Sequence, residues 1–390
     1  MDKAREVCDL MVQTHCHPNV VTYSTLINGY VKLKSIDKAL DVLQEMLKQG
    51  IAPNVVVYCT LIDGLCKSGR IPMALHLFND MQIYGIKPNV CTYGALFDGV
   101  CKNAQLDEAK ALLKHMESNG VAPNIVIYNI LIDSLCEAGR IKDAKNLVFV
   151  LVSRGMVPDH IIYTTMIKGY CKEGCMNTAI ELLNKMKQIG CSPNIVTYNT
   201  LIDRLCKYNR IPMARQLFND MQIYGIKPDV CTYGSLLDWL CKNAQLDEAK
   251  AFLKEMESNG VAPNIVIYTI LIDSLYKAGQ VKDAENLVSV LLSRGMVPNH
   301  ITYNTMIKGY CKRGLMNTAM ELLNKMKQVG CPPDDFTYNT IIRGFIFNGD
   351  LRNALCFCDI MVNEGFEADA DTLSLLRNHL SHYKPESFSC

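Results

Sequence analysis

Apolar residues recur along this chain in pairs of helical runs, and the pattern repeats every 35 residues. In the stretch that begins at Val55, residues Tyr58, Leu61, Ile62, Leu65 and Cys66 fall at helical spacing, and Ser68-Gly69 breaks the run. A second run follows. Pro72 suits a first helical turn, Ala74, Leu75, Leu77, Phe78 and Met81 form the apolar stripe, and Gly85 stops it. Glycine returns at that place as Gly50, Gly120, Gly155, Gly190, Gly225, Gly260, Gly295, Gly330 and Gly365, where a left-handed C-terminal cap is expected. Pro then closes each unit, with Ala368 in its place in the tenth. Each unit therefore predicts a helical hairpin. A hairpin this small cannot bury its own apolar face and must stack on copies of itself, so the expected fold is an all-α solenoid.

The stretch Ala122 to Asn129 marks a typical junction between units. Numbering each unit from the residue after the Pro-Asn or Pro-Asp pair gives ten full repeats, at 20–54, 55–89, 90–124, 125–159, 160–194, 195–229, 230–264, 265–299, 300–334 and 335–369. Residues 1–19 read as the second helix of a truncated repeat, because Asp2-Lys3-Ala4 aligns with Asp37-Lys38-Ala39. Residues 370–390 read as a partial repeat or C-terminal capping helix. A chain that opens in mid-repeat is what a fragment or a truncated, inactive copy would show.

Composition changes this picture little. A globular chain of 390 residues suggests two or three domains, but a repeat array grows by addition around a continuous core. With 49% hydrophobic residues the chain is ordered. A net charge of +1 argues neither for nor against nucleic acid, so only the placement of charge can decide. Of 18 cysteines, Cys66, Cys101, Cys136, Cys171, Cys206, Cys241 and Cys311 share one repeat position, where Tyr276 substitutes once. They read as small buried apolar residues in a reducing compartment, since 35-residue spacing separates them too far to converge on a metal. No apolar run reaches the roughly 18 residues that span a bilayer, and the N-terminus lacks a signal-peptide pattern.

Residues 55–194 and 195–334 are near copies that differ at 32 of 140 positions. The differences concentrate at position 5, after the Tyr, and at position 35, after the Pro. These eight aligned positions carry six differences, against 26 in the other 132. Cys59 with Asn89 stands against Asn199 with Asp229, Asn129 with Asp159 against Thr269 with Asn299, and Thr164 with Asn194 against Asn304 with Asp334. Over all ten repeats, Asp at position 35 (Asp159, Asp229, Asp334, Asp369) always accompanies Asn at position 5 (Asn129, Asn199, Asn304, Asn339). Asn and Asp suit a helix N-cap equally, but capping predicts no coupling to a residue 30 positions earlier. Two side chains that meet on one external object predict it.

The motifs Val196 to Asp203, the Leu-Cys-Lys that follows, and Gly225 to Asp229 resemble the pentatricopeptide repeat, and the likeness covers nearly the whole chain. The tetratricopeptide repeat differs in period and in aromatic pattern. Uniform repeat length resembles the P class, and the wording of the repeats is similar to plant restorer-of-fertility-like proteins. The resemblance implies a right-handed superhelix that binds single-stranded RNA at one base per repeat, parallel to the chain, in transcript processing, stabilisation or silencing. It also implies a mitochondrial location, or a chloroplast one, with no cofactor and a monomeric chain.

Donors and acceptors supply the chemistry. An ionised Asp only accepts, which suits the imino donor of uracil or guanine, whereas Asn also donates, which suits the ring acceptor of adenine or cytosine. The resemblance implies that position 5 separates purine from pyrimidine and position 35 reads the Watson–Crick edge. Carried over, Asn129 with Asp159, Asn199 with Asp229, Asn304 with Asp334 and Asn339 with Asp369 imply U. Ser24 with Asn54, Thr164 with Asn194 and Thr269 with Asn299 imply A. Cys59 with Asn89, Gly94 with Asn124 and Gly234 with Asn264 depart from the strong combinations and leave their bases open. The expected target is 5′-ANNUAUNAUU-3′.

Position 2 carries Val21, Val56, Cys91, Val126, Ile161, Val196, Cys231, Val266, Ile301 and Phe336. The resemblance implies that these sandwich the bases, and ordinary inter-repeat core is the alternative. Lys at position 13 (Lys32, Lys67, Lys102, Lys172, Lys207, Lys242, Lys277, Lys312) forms a row that could neutralise phosphates or simply solvate a helix end, and it breaks at Glu137 and Phe347. The ten Tyr at position 4, such as Tyr23, Tyr128 and Tyr303, fit the core stripe better than base stacking.

The chain carries no enzyme signature. His115-Met116-Glu117 opens like a deaminase motif but lacks the cysteine pair that should follow, and Glu255 replaces His115 in the other copy. Cys356-Phe357-Cys358 and His15-Cys16-His17 lack partners, and neither a phosphate loop nor a hydrolase elbow appears. A recruited nuclease or other processing factor is the expected protein partner. The competing reading is a scaffold whose groove holds a peptide.

Overall fold

A computed structural model describes residues 1–14 and 16–380. Among these there are twenty-two helices and no strand. Helices come in pairs, such as Val55–Lys67 with Ile71–Ile83, and every one from Val20 to Asn363 is 13 residues long. His15 of the His-Cys-His run and residues 381–390 lie outside the described residues.

The sequence sets both helix ends. Asn54 lies in extended backbone at the N-terminus of Val55–Lys67 and accepts a hydrogen bond from the Val57 amide, satisfying a donor that the helix leaves unpaired. At the far end Gly69 turns left-handed at φ 75°, which lets the Arg70 amide reach the Leu65 carbonyl at 2.9 Å. Gly85 does the same for the second helix at φ 73°, with the Ile86 amide on the Met81 carbonyl at 3.0 Å. The turn inside each hairpin is left-handed even where glycine is missing. Lys34, Ala104, Asn209 and Ala244 all sit at φ 58° there.

The chain divides into two compact units, residues 1–201 and residues 202 onward. In the first, the apolar stripes of both helices close a continuous core that includes Tyr58, Leu61, Ile62, Ala74 and Met81. In the second, Tyr303, Ile307, Ala319, Met326 and Tyr338 occupy the same repeat positions. Each fully buried aromatic or aliphatic side chain contributes about 1.5–3 kcal/mol, so the repeating stripe dominates the energetics. The position 4 tyrosines are all buried, as their place in the stripe predicts.

The described cysteines are all free. Burial, with neighbouring carboxylates adding, pushes the thiols of Cys66, Cys136 and Cys206 up to about 12. Burial does the same to Cys311. They stay protonated and pack as small apolar groups. Tyr276, which replaces one of these cysteines, is accommodated by Gly309 in the next repeat: a Cβ there would stand 2.4 Å from the Tyr276 ring. No helix of the described residues is long and apolar enough to cross a membrane.

Candidate nucleic-acid interface

Every position 35 side chain caps the first helix of the following repeat. Asn54, Asn89, Asn124, Asn194, Asn264 and Asn299 each accept the third helical amide through Oδ1 at 3.0–3.1 Å. Asp159, Asp229, Asp334 and Asp369 do so at 2.8–2.9 Å. A backbone N–H can be met only by an oxygen, so the cap fixes which way each side chain faces. Asn must turn its Nδ2, with two N–H donors, away from the helix. Asp presents its second oxygen, an acceptor. These side chains are exposed or half-buried.

Positions 5 and 35 also touch each other. Asn129 Nδ2 donates to Asp159 Oδ2 at 3.2 Å, and Asn304 Nδ2 donates to Asp334 Oδ1 at 3.2 Å. Cys59 Sγ donates to Asn89 Oδ1 at 3.7 Å. This corrects the expectation that the coupling needs an external object. In repeats 4 and 9 the carboxylate at position 35 accepts from the amide at position 5 within the protein, so there direct contact accounts for Asn with Asp. Asn199 lies in the first unit and Asp229 in the second.

The other pairs differ in detail. Thr164 and Thr269 reach the cap through a neighbour: their hydroxyls lie 2.8 and 2.9 Å from those of Thr197 and Thr302. The latter in turn donate to Asn194 and Asn299 at 3.0 Å. Ser24 bonds to its own helix at the Val20 carbonyl. Gly94 and Gly234 contribute no side chain, and the Cδ1 atoms of Ile127 and Ile267 lie 3.7 and 3.3 Å from where a Cβ would be. In the tenth repeat Asn339 is buried, accepting from the Asp369 amide at 3.0 Å and donating to the Asp335 carbonyl at 2.9 Å. There Arg343 covers both oxygens of Asp369, at 3.1 and 2.8 Å.

Two of the carboxylates at position 35 are held acidic by their surroundings. Burial alone would raise Asp334, but the hydrogen bonds from the Thr337 hydroxyl and amide and from Asn304, with His300 nearby, hold it below the usual carboxylate range. For Asp369 burial is likewise offset by Thr372 and Arg343. Both remain ionised acceptors at neutral pH.

The position 2 residues are exposed, from Phe336 at 45% to Ile301 at 68%, which removes the core alternative for them. In the first unit a groove of about 830 Å³ brings the three residue classes together, lined by Cys59 and Gly94, by Cys91 and Val126, and by Lys32 and Lys67. The lysine row is partly neutralised by a carboxylate one turn earlier, at position 9. Asp63, Asp98, Asp203, Asp238 and Asp273 pair with Lys67, Lys102, Lys207, Lys242 and Lys277 at 2.5–2.8 Å. Such exposed pairs are worth about 0–1 kcal/mol, so a phosphate can compete for the ammonium. Lys172 pairs instead with Glu137, beside Lys168.

The sequence reading missed position 9 and, more importantly, position 3 of the following repeat, where Thr, Ile or Val stands next to the residue that caps the helix. Position 3 carried a signal: Val57 stands against Thr197 and Ile162 against Thr302 between the two copies. Among the described residues no three His, Cys, Asp or Glu side chains converge on a metal position. His115, at the start of the deaminase-like motif, hydrogen-bonds the buried Tyr93 hydroxyl at 3.1 Å.

The comparisons with known proteins agree with this architecture. The PPR repeat family matches at residues 18–67, 53–102, 158–207, 193–242, 228–275, 263–312 and 298–346. The PPR repeat matches further at 119–148, 91–121 and 336–366. A search of curated proteins gave no match. Among solved structures, the pentatricopeptide repeat protein PPR10 from maize is 23% identical with a TM-score of 0.59, covering 98% of this chain and 66% of that one. PPR10 in complex with an 18-nt psaJ RNA element aligns at 24% identity and a TM-score of 0.41, covering 96% and 54%. Yeast Rmd9p in complex with a 16-nt target RNA aligns at 12% identity and 0.44, covering 92% and 84%. The chain thus spans 66% of the length of the maize protein whose fold it shares. With family matches over most of its length and the helical hairpins that they imply, the chain belongs to the PPR repeat family, the pentatricopeptide repeats.

Proposed function

We propose that this chain binds single-stranded RNA with sequence selectivity, at one base per repeat. One observation carries the reading. At each junction the helix cap fixes the polar group that position 35 presents, a donor from Asn and an acceptor from Asp, beside an exposed apolar residue at position 2. A free base offers a flat apolar face and an edge with either an acceptor or an imino donor, so the two features are complementary to one nucleotide. The outward amide of Asn194 or Asn299 matches the ring nitrogen of adenine, and the outward oxygen of Asp159 or Asp334 matches the imino group of uracil.

The assignment of purine or pyrimidine to position 5, and the target 5′-ANNUAUNAUU-3′, rest on the sequence resemblance. So does placement in the mitochondrion, or else the chloroplast, where the bound chain would block nucleases or recruit a processing factor. Equilibrium binding to this ten-base RNA, against an oligomer of the same composition in scrambled order, tests the proposal. The target is expected to bind at least about tenfold more tightly, as two or three mismatched bases would require. Equal affinities would contradict base reading and favour a groove that serves a peptide.

A further inference from the structure

Repeats 4 and 9 carry the same reading pair, Asn with Asp, but arrange it differently. In repeat 9 the amide of Asn304 donates to Asp334 Oδ1, the oxygen that already caps the next helix, and among the described residues no hydrogen bond reaches Oδ2. In repeat 4 the amide of Asn129 donates to Asp159 Oδ2, the outward oxygen, while Oδ1 holds the cap. The difference lies in the third residue of the following repeat. Thr337 places its hydroxyl 2.6 Å from both Asn304 Oδ1 and Asp334 Oδ1. Ile162, the third residue of repeat 5, stands at the equivalent place beside the pair of repeat 4 and offers no proton, and the side-chain oxygen of Asn129 is buried without a partner.

We propose that this third residue is a positioning residue of the base sites of repeats 4 and 9, because the Thr337 hydroxyl draws the Asn304 amide onto the capping oxygen and leaves the outward oxygen of Asp334 free for a base. With Ile, the amide has no such anchor and shares the outward oxygen. That oxygen is the one that would accept the imino proton of uracil, so its occupation by Asn129 competes with the ligand. An orphaned buried carbonyl also leaves the Asn129 amide held from one side only, which loosens its orientation. The same position tunes the pairs without Asp. Thr197 and Thr302 relay Thr164 and Thr269 to the capping Asn, whereas Ile127 and Ile267 fill the space beside the glycines at position 5.

The inference rests on the RNA reading above, and its test separates the two. The full chain is titrated with the ten-base target and with targets in which U is replaced by C at base 4 or at base 9. The exchange keeps the pyrimidine and turns an imino donor into a ring acceptor. Wild-type protein is expected to prefer U over C more strongly at base 9 than at base 4, by about fivefold, roughly what one competing hydrogen bond accounts for. Ile162→Thr should raise the U/C ratio at base 4 by a similar factor and leave base 9 alone. Thr337→Val should lower the ratio at base 9 only, and Thr337→Ser, which keeps the hydroxyl, should retain it. Variants that weaken binding to all three RNAs equally, with both ratios unmoved, would overturn the inference and reduce the residue to a packing role. A wild-type protein that prefers U at neither base would instead overturn the base reading itself.

Discussion

An asparagine can turn either end of its amide outward, and here the helix that follows makes the choice. The cap holds Oδ1 against a backbone amide, so Asn124 or Asn299 can only donate to a ligand, while an Asp at the same place can only accept. The residue types were legible in the sequence, and so was their coupling to position 5. The mutual contact of Asn129 with Asp159 was not, because a 30-residue separation becomes a neighbour relation only once the hairpin closes. Arg343 was equally hidden, 26 residues from the carboxylate that it covers. With it, and with Asn339 bonded to the Asp369 amide instead of the carboxylate, the tenth repeat differs from the ninth although both carry Asn at position 5 and Asp at position 35. Arg343→Ala should free Asp369 and increase discrimination of U over C at the tenth base by about three- to tenfold, read from oligomers changed at that base alone. A ratio unchanged from wild type would mean that Arg343 yields to the RNA without cost.

At the scale of the helical element, punctuation decided how much could be read. Gly85 and its equivalents announced the end of the second helix because only glycine enters the left-handed region freely. The turn within the hairpin demands the same conformation, but Ala104 and Ala244 occupy it without any sign in their residue type. An L-residue there costs about 1–2 kcal/mol relative to the ordinary helical region, partly offset for glycine by its greater freedom when unfolded. Ala104→Gly is therefore expected to stabilise its part of the array by about 1 kcal/mol, seen as a higher denaturant midpoint at unchanged slope. A lower midpoint would show that the alanine methyl packs against something that compensates the strain. Gly309 is the opposite case, a glycine kept for room, since the Tyr276 ring fills the space of its side chain.

At the scale of the molecule, the fold followed from period alone, because a 35-residue unit with two apolar stripes has few ways to bury them. Net charge said little, and the reason is now physical. Five of the eight lysines at position 13 are matched within their own helices by carboxylates at position 9, which leaves no uniform basic groove. At these positions Lys32, Lys308 and Lys312 have no carboxylate within 4.0 Å among the described residues, so a phosphate placed there would meet uncompensated charge. Selectivity, in this account, comes from the sum of modest choices made at successive junctions. Because Asn and Asp are equally good helix caps, an exchange at position 35 is expected to change recognition while leaving the fold intact.

That equivalence makes one measurement decisive. In the double variant Asn304→Thr with Asp334→Asn, the outward acceptor of the ninth repeat becomes an outward donor like that of Asn299. Affinity is measured for the ten-base target with U or A at base 9, for wild type and variant together. The account predicts that the preference crosses, from U in the wild type to A in the variant, with a combined change of about tenfold or more and an unaltered melting profile. If both proteins rank the two RNAs alike, the cap does not set the chemistry of the base site and the central claim fails.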